Sequence, residues 1–380
     1  MKISPRYATG DREGGMKTGF LLVWGLASVA LLAQIQVDVP ARGEYLFPLQ
    51  LTWEADRAGD MPLAVPGNIQ VADDGTVFCY DRRNLKYLIY DAEGNLLHAF
   101  GKRGEGPGEI RRIEQAPLFL VDDVLIVLDT GRLHFFDLKG RFVGSKVIRD
   151  HWIPVLFFNK DEFLIAPRTI LDIPDGKAAI QRVNLTTGKK EPITTFEVFK
   201  GGTISGDNVQ AAMVDPRLTP LMTIGHHGNR LYFAMSDRYE IHICDLKGDE
   251  MGVFGLERKK TRVSDEAKTA DILRRAQGRA PEELLRTLIK KLPNEETYFF
   301  NIDVYGGLVY VYLTHFERRN IQRIDLFDAD GRYLYRGVLR FGEQDTIVSG
   351  PVFKGDWAYV AVENRDGEVL LRKYRTTLPR

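Results

Sequence analysis

The chain has 380 residues, 44% hydrophobic and 27% charged, with 52 Lys and Arg balanced by 52 Asp and Glu for a formal net charge of zero. That length exceeds one ordinary core and calls for two domains, a repeat architecture or one large closed domain, while the apolar fraction excludes wholesale disorder, a collagen and a polytopic membrane protein. Neutrality removes the basic excess that nucleic-acid binding draws on, and Cys79 and Cys244, far apart in the chain, make neither a disulfide framework nor a Cys-x-x-Cys metal site.

In chain order, residues 1–15 are polar and precede a second Met, Met16. Lys17 then leads an uncharged apolar run from Gly19 to Ala33, followed by Gln34, Gln36 and Asp38. The run is shorter than the roughly 20 residues of a membrane-spanning helix, and Ser28-Val29-Ala30 puts small residues where a signal peptidase reads, with Ala33 as a second site. Residues 1–33 therefore read as a secretory signal peptide, with a retained N-terminal anchor as the alternative. No Cys follows the run, which argues against a lipoprotein. The expected location is periplasmic, cell-surface or extracellular, with membrane contact only through an uncleaved N-terminal segment. The remaining 34–380 are expected to form one domain.

The segment YLFPLQLTW (45–53) alternates apolar and less apolar residues as a half-buried strand does. After it a signature recurs, an apolar strand ending in Asp, two variable residues, Gly, then another strand. Its copies start at Asp91 (Gly94), Asp137 (Gly140), Asp245 (Gly248) and Asp328 (Gly331), with a looser one at Asn184 and Gly188. Asp and Gly accept the strained dihedrals of a tight turn, so each copy predicts a hairpin. Asp91 to Asp137 is 46 residues and Asp137 to Asn184 is 47; the two longer intervals read as the same period plus insertions. A period near 46 suits a four-stranded propeller blade. One more period from Asp328 reaches Tyr374, so a sixth blade runs out of chain before its outer strand.

Upstream of each signature lies a strand rich in β-branched and aromatic residues: TVFCYD (76–81), VLIVLD (124–129), EFLIAP (162–167), RLYFAM (230–235), LVYVYL (308–313) and WAYVAV (357–362). Six copies predict an all-β, six-bladed β-propeller of four-stranded blades, closed by the N-terminal strand 45–53 pairing with the last blade. Closure of that kind removes exposed sheet edges. The excess before Asp328 maps to a helical insert within 262–292: Ser264 caps a first helix ended by Gly278, and Pro281 opens a second, with Leu284, Leu285, Leu288, Ile289 and Leu292 on one face. That stripe either packs on the propeller or meets a partner or membrane surface. The excess before Asp245 maps to a Gly-rich loop at 200–215.

Through LIYDAEGNLLHAFGKRGEGPGEI the chain resembles the bacterial exported six-bladed β-propellers related to NHL-repeat proteins, whose first clear blade is followed by a run much like FGKRGEGPGE (Phe100 to Glu109). Later blades depart from it, since Phe254-Gly255 and Phe341-Gly342 continue differently. The resemblance implies the fold and export, and assigns no reaction.

The Gly101–Glu109 loop joins the outer strand of one blade to the inner strand of the next. Its backbone N–H groups, with Lys102, Arg103, Glu105, Glu109, Arg111 and Arg112, are expected to hold a ligand, anionic in character; the alternative is a crossover whose glycines serve geometry. No Gly-Lys-Ser/Thr ends the string, so it is not a Walker A loop. Asp303 and His315 are placed to approach the central channel. His226-His227 reads as a solvated turn, and no metal site is assigned. Neither a Gly-x-Ser-x-Gly elbow nor an EF-hand loop is present. The leading functional reading is an exported, monomeric binding or scaffold protein that holds a protein, peptide or glycan through one propeller face and does not bind nucleic acid. The alternative is a metal-assisted lactonase, hydrolase or lyase with its site at the channel and a divalent metal as cofactor.

Overall fold

All six predicted second strands exist, and several are buried along their whole length, as at Val77–Asp81 and Leu308–Leu313. Neighbours cover both faces, which is why these runs read as continuous apolar stretches rather than alternating ones. They belong to a computed structural model that describes residues 34–113, 116–148, 154–166, 177–197, 217–218, 220–275, 282–314 and 319–379. The fold is a six-bladed β-propeller of antiparallel four-stranded blades. Blade one spans 66–100, blade two 118–147, blade three 154–197, blade four 222–257 and blade five 299–340. Blade six takes three strands from 346–375 and its fourth, Gln50–Ala55, from the other end of the chain. First strands of neighbouring blades contact one another and so line the centre.

The hydrophobic core is divided among the blade interfaces. Six clusters of buried side chains lie between blades one and two, two and three, three and four, four and five, five and six, and six and one. The last of these completes the ring, with Tyr359 and Leu371 of blade six against Val77, Cys79, Leu88 and Tyr90 of blade one.

The predicted closing strand 45–53 requires correction. Glu44–Leu46 instead adds a parallel fifth strand to the outer edge of blade five, Tyr45 opposite Gly337, and only Gln50–Ala55 closes blade six. Pro48 has no N–H to donate to a ladder, and Phe47 beside it turns into the core between blades five and six, so one straight strand is broken into two. Upstream, Gln34–Val37 adds a parallel strand to blade four, Ile35 opposite Gly255. The segment 34–55 is thus a strap over three consecutive blades.

The recurring turns share one geometry. Oδ1 of Asp91, Asp137, Asp245 and Asp328 accepts the backbone N–H groups two and four residues later, and the following glycine takes a φ between +76° and +96°. Asn364 builds a turn of the same local geometry in blade six, but between its second and third strands rather than its third and fourth, because the fourth strand there comes from the other end of the chain. The insert forms two helices, α1 (Asp265–Arg275) and α2 (Glu282–Lys291), with Ser264 Oγ accepting the Ala267 N–H at 3.2 Å as the expected cap. Leu285 and Ile289 of α2, with Leu292, pack on Ile272, Val263 and Leu218 in a cluster of their own. The 200–215 loop, Gly278 and Pro281 lie outside the described residues. Among those described, no helix is long and apolar enough to cross a membrane.

Candidate functional site

The Gly101–Glu109 loop is held from inside and from below. Within it, Ile110 N–H donates to Lys102 O at 2.9 Å and Gly104 N–H to Ile110 O at 3.2 Å, pairing its two limbs. Glu109 folds back so that its carboxylate accepts the Gly106 N–H at 3.0 Å and meets Lys102 Nζ at 2.7 Å. That mutual contact raises the Lys102 pKa and lowers that of Glu109. A Cβ on Gly104 would stand 2.0 Å from Glu109 Oε2, so only glycine lets the carboxylate reach this position. Below, Asp129 at the end of the blade-two strand Val124–Asp129 accepts the backbone N–H groups of Arg111, Arg112 and Thr130 at 2.8, 3.1 and 2.7 Å. Burial raises the Asp129 pKa, but those three donors prevail and hold the carboxyl below its usual range. Asp81 ends the equivalent strand of blade one and caps Ala64, Val65, Arg83 and Asn84 in the same way.

Between this loop and the outer strands of blade two lies a cavity of about 490 Å³ lined by Glu105, Glu109, Arg111, Asp129, Thr130, Arg132, His134, Phe142 and Ser145, among others. His134 is only 4% exposed, and neither ring nitrogen has a hydrogen-bond partner among the described residues. The nearest charge, Asp129 Oδ2, stands 3.8 Å from Nε2, beyond hydrogen-bond reach. Burial lowers the His134 pKa against the pull of Asp129, which favours the neutral ring, and both nitrogens are shut off from solvent.

Of the residues expected at the site, Glu105, Glu109 and Arg111 line this cavity, with Arg111 Nε 3.4 Å from Glu105 Oε1. Lys102 reaches it through Glu109, Arg103 forms a backbone bridge with Ile110, and Arg112 contributes its backbone N–H to Asp129. Asp303 lies elsewhere, on the inner strand of blade five, and His315 falls outside the described residues. Sequence reasoning missed Asp129, His134 and Phe142. A signal existed for His134: three positions before the turn residue the copies carry His134, Gln181, His242 and Asp325, polar residues in otherwise apolar strands, where the first copy has Leu88.

Asp303 accepts the Asn301 side-chain amide at 2.9 Å, and burial pushes its pKa up to about 6. A raised carboxyl pKa means that ionisation opposes folding, so this group destabilises increasingly as pH climbs from its unfolded value through 6. Asp303→Asn should therefore leave the urea midpoint unchanged at pH 4 and raise stability at pH 8, by up to about 2 kcal/mol. An equal midpoint shift at both pH values would remove the assignment.

Among the described residues, no group of three or more His, Cys, Asp or Glu is arranged to hold a metal ion. His226 and His227 end a strand rather than sit in the turn, and His226 Nε2 lies 2.8 Å from Gly228 O. Both cysteines are buried, and burial raises their thiol pKa values, that of Cys244 to about 11.

Comparison with known proteins agrees with this architecture. The model of a family described as a six-bladed β-propeller, DUF5128, matches residues 58–172, from the end of the strap through blade two to the second strand of blade three and just beyond. The chain is similar in structure to a putative exported protein from Bacteroides fragilis (TM-score 0.52, 12% identity, 91% of this chain and 99% of that one). It is also similar to a member of the DUF4221 family from Bacteroides vulgatus (TM-score 0.51, 10% identity, 88% and 99%). None of the curated proteins compared matches the chain.

Proposed function

We propose that this chain is an exported binding propeller of the cell envelope or exterior, holding a protein, peptide or glycan in the cavity beneath the Gly101–Glu109 loop. The observation that carries the reading is the cavity of about 490 Å³ between the internally braced Gly101–Glu109 loop and the outer strands of blade two, with Glu105, Arg111, Ser145 and Phe142 on its walls. The rigid ring of blades supports the loop as a scaffold supports a recognition site. Export rests on the apolar run Gly19–Ala33 and its small-residue cleavage pattern.

The test is amide NMR of the loop residues 104–109 during titration with fractionated envelope and culture-medium extract. At least one fraction is expected to shift these amides saturably, and Gly104→Ala, whose methyl would displace Glu109, is expected to weaken the effect at least tenfold. If every fraction leaves the loop amides in place, the cavity is not the binding site.

A further inference from the structure

The strap shows what an open blade edge in this ring accepts. Gln34–Val37 and Glu44–Leu46 each run parallel to the outer strand they join, starting nine residues after Asp245 in blade four and eight after Asp328 in blade five. Blade two repeats that local geometry. Its register shifts at the residue before Asp137, as it does before Asp245 and Asp328, so the outer strand Phe142–Val147 leaves its turn in the same phase and Ser145 to Val147 hold the corresponding positions. Among the described residues no strand pairs with the far edge of Phe142–Val147. The edges of the other blades without a strap strand carry features that discourage pairing. The blade-three strand Lys190–Glu197 holds Pro192 and the charges of Lys190, Glu191 and Glu197, the blade-six strand exposes Gln50, Thr52 and Glu54, and in blade one Arg57–Ala58 lies against Leu96–Phe100. Phe142–Val147 has neither proline nor carboxylate, and its Phe142, Val143 and Val147 are 36, 69 and 62% exposed.

Resting on the reading of this cavity as the binding site, we propose that its ligand is an extended peptide segment of another protein, added parallel to Phe142–Val147 as a fifth strand of blade two, with alternate side chains entering the cavity. The cross-strand pairs Arg132–Val147 and His134–Ser145 lie on one face of the blade, and all four residues line the cavity together with Phe142. A strand added beyond Val147 sets every second side chain over that same face. Its main-chain N–H and C=O groups pair with the open edge, and the cavity selects among its side chains. The groups it meets, Phe142, Ser145 and Val147, are open to solvent, while His134 and Asp129 stay beneath them as a closed floor. Charge balance favours an uncharged segment. Lys102 and Arg111 on the rim are matched by Glu109 and Glu105, and Arg132 donates to Ser145 Oγ at 3.1 Å, so β-branched and hydroxyl-bearing residues suit the site. A second copy meeting this edge through its own blade two would be related by a two-fold axis and pair antiparallel, unlike both strap strands.

The experiment is titration of the purified full-length protein with the uncharged hexapeptide acetyl-TVTVTV-amide, followed by the backbone amides of residues 142–147 in NMR. The control is the same peptide N-methylated at every residue, which keeps the side chains and loses the N–H groups a strand donates. The hexapeptide is expected to shift the 142–147 amides saturably in the millimolar range, and the methylated form to bind at least tenfold more weakly. Val147→Lys, a charge placed at an exposed edge position, should weaken hexapeptide binding at least tenfold with little effect on melting. Equal binding of the two peptides overturns the strand assignment, as does binding indifferent to Val147→Lys. So does sedimentation as a dimer that Val147→Lys abolishes, which would seat a second copy on the edge. Extract fractions that move the loop amides 104–109 while the hexapeptide leaves 142–147 in place would keep the cavity as the site and reject the peptide. If neither set of amides moves, the site itself is rejected.

Discussion

A chain lacking residues 34–55 is expected to lose its cooperative thermal transition and to be recovered as aggregate, because that segment contributes to three blades at once. Its end, Gln50–Ala55, is the fourth strand of blade six, and without it the third strand of that blade, Val369–Arg375, becomes an open edge. Its middle places Phe47, 2% exposed, between blades five and six; Phe47→Ala alone should cost about 3–5 kcal/mol. Its beginning carries Asp38, which accepts a bidentate pair from Arg258 at 2.8 and 2.6 Å and a further bond from Arg336. Removing that carboxylate leaves two guanidinium groups facing Asp325, and since Asp38 and Arg258 are partly open to solvent the loss should be about 2–3 kcal/mol. Together these approach the whole stability of a typical domain, about 5–15 kcal/mol. A pH signature separates the Asp38 contribution. Burial raises its carboxyl pKa, but the two arginines outweigh it and hold the pKa below 3.8. The contribution of a lowered carboxyl is complete above its unfolded value and fades as pH falls through the folded one, so Asp38→Ala and the intact protein should converge in stability under strong acid. A deletion variant that melts as cooperatively as the full chain would refute the closure.

Much of this architecture is legible before any coordinates, because a propeller repeats its local chemistry. Six apolar second strands and the turn residues from Asp91 to Asp328 fix blade number, hairpins and period. What the sequence concealed depends on meetings between blades. Whether Tyr45 and Trp53 share one strand was decided by Pro48 and by the pocket that receives Phe47, and the pocket is made by residues some 300 positions away. Likewise Lys102 and Arg103 stand out in the sequence as a basic pair, but the geometry of Glu109, invisible from spacing, sets what the loop leaves available. His134 was hidden for the opposite reason: in isolation it is one polar residue in a strand, and its setting beside Asp129, with no hydrogen-bond partner among the described residues, exists only in the assembled blade.

The turn glycines show the same distinction between local and assembled causes, and Gly331→Ala is expected to have the second large effect. Read from the sequence, each glycine serves a left-handed turn, as Gly331 does at a φ of +88° and Gly367 at +79°. In the ring most of them have a second duty. A Cβ on Gly331 would lie 2.3 Å from Phe254 of blade four, one on Gly140 would lie 2.7 Å from Phe100 of blade one, and one on Gly94 would lie 2.6 Å from Trp53 of the closing strand. The turn of each of these blades docks on the blade before it. Arg230 and Tyr232 of blade four grip Ala329 O in the same contact, at 2.9 and 3.0 Å. Gly367, by contrast, has nothing within 4 Å of the position a Cβ would take. Gly367→Ala should therefore carry only the cost of a left-handed alanine, about 1–2 kcal/mol. Gly331→Ala adds the displacement of a buried phenylalanine at a blade interface, bringing the loss to about 3–5 kcal/mol. The two turns share their hydrogen bonding and nearly the same φ, although Gly331 joins the third and fourth strands of its blade and Gly367 the second and third. The difference between their urea midpoints therefore measures the packing around Gly331 apart from backbone strain. Equal losses would mean that the turns hold their own hairpins and contribute nothing to the ring.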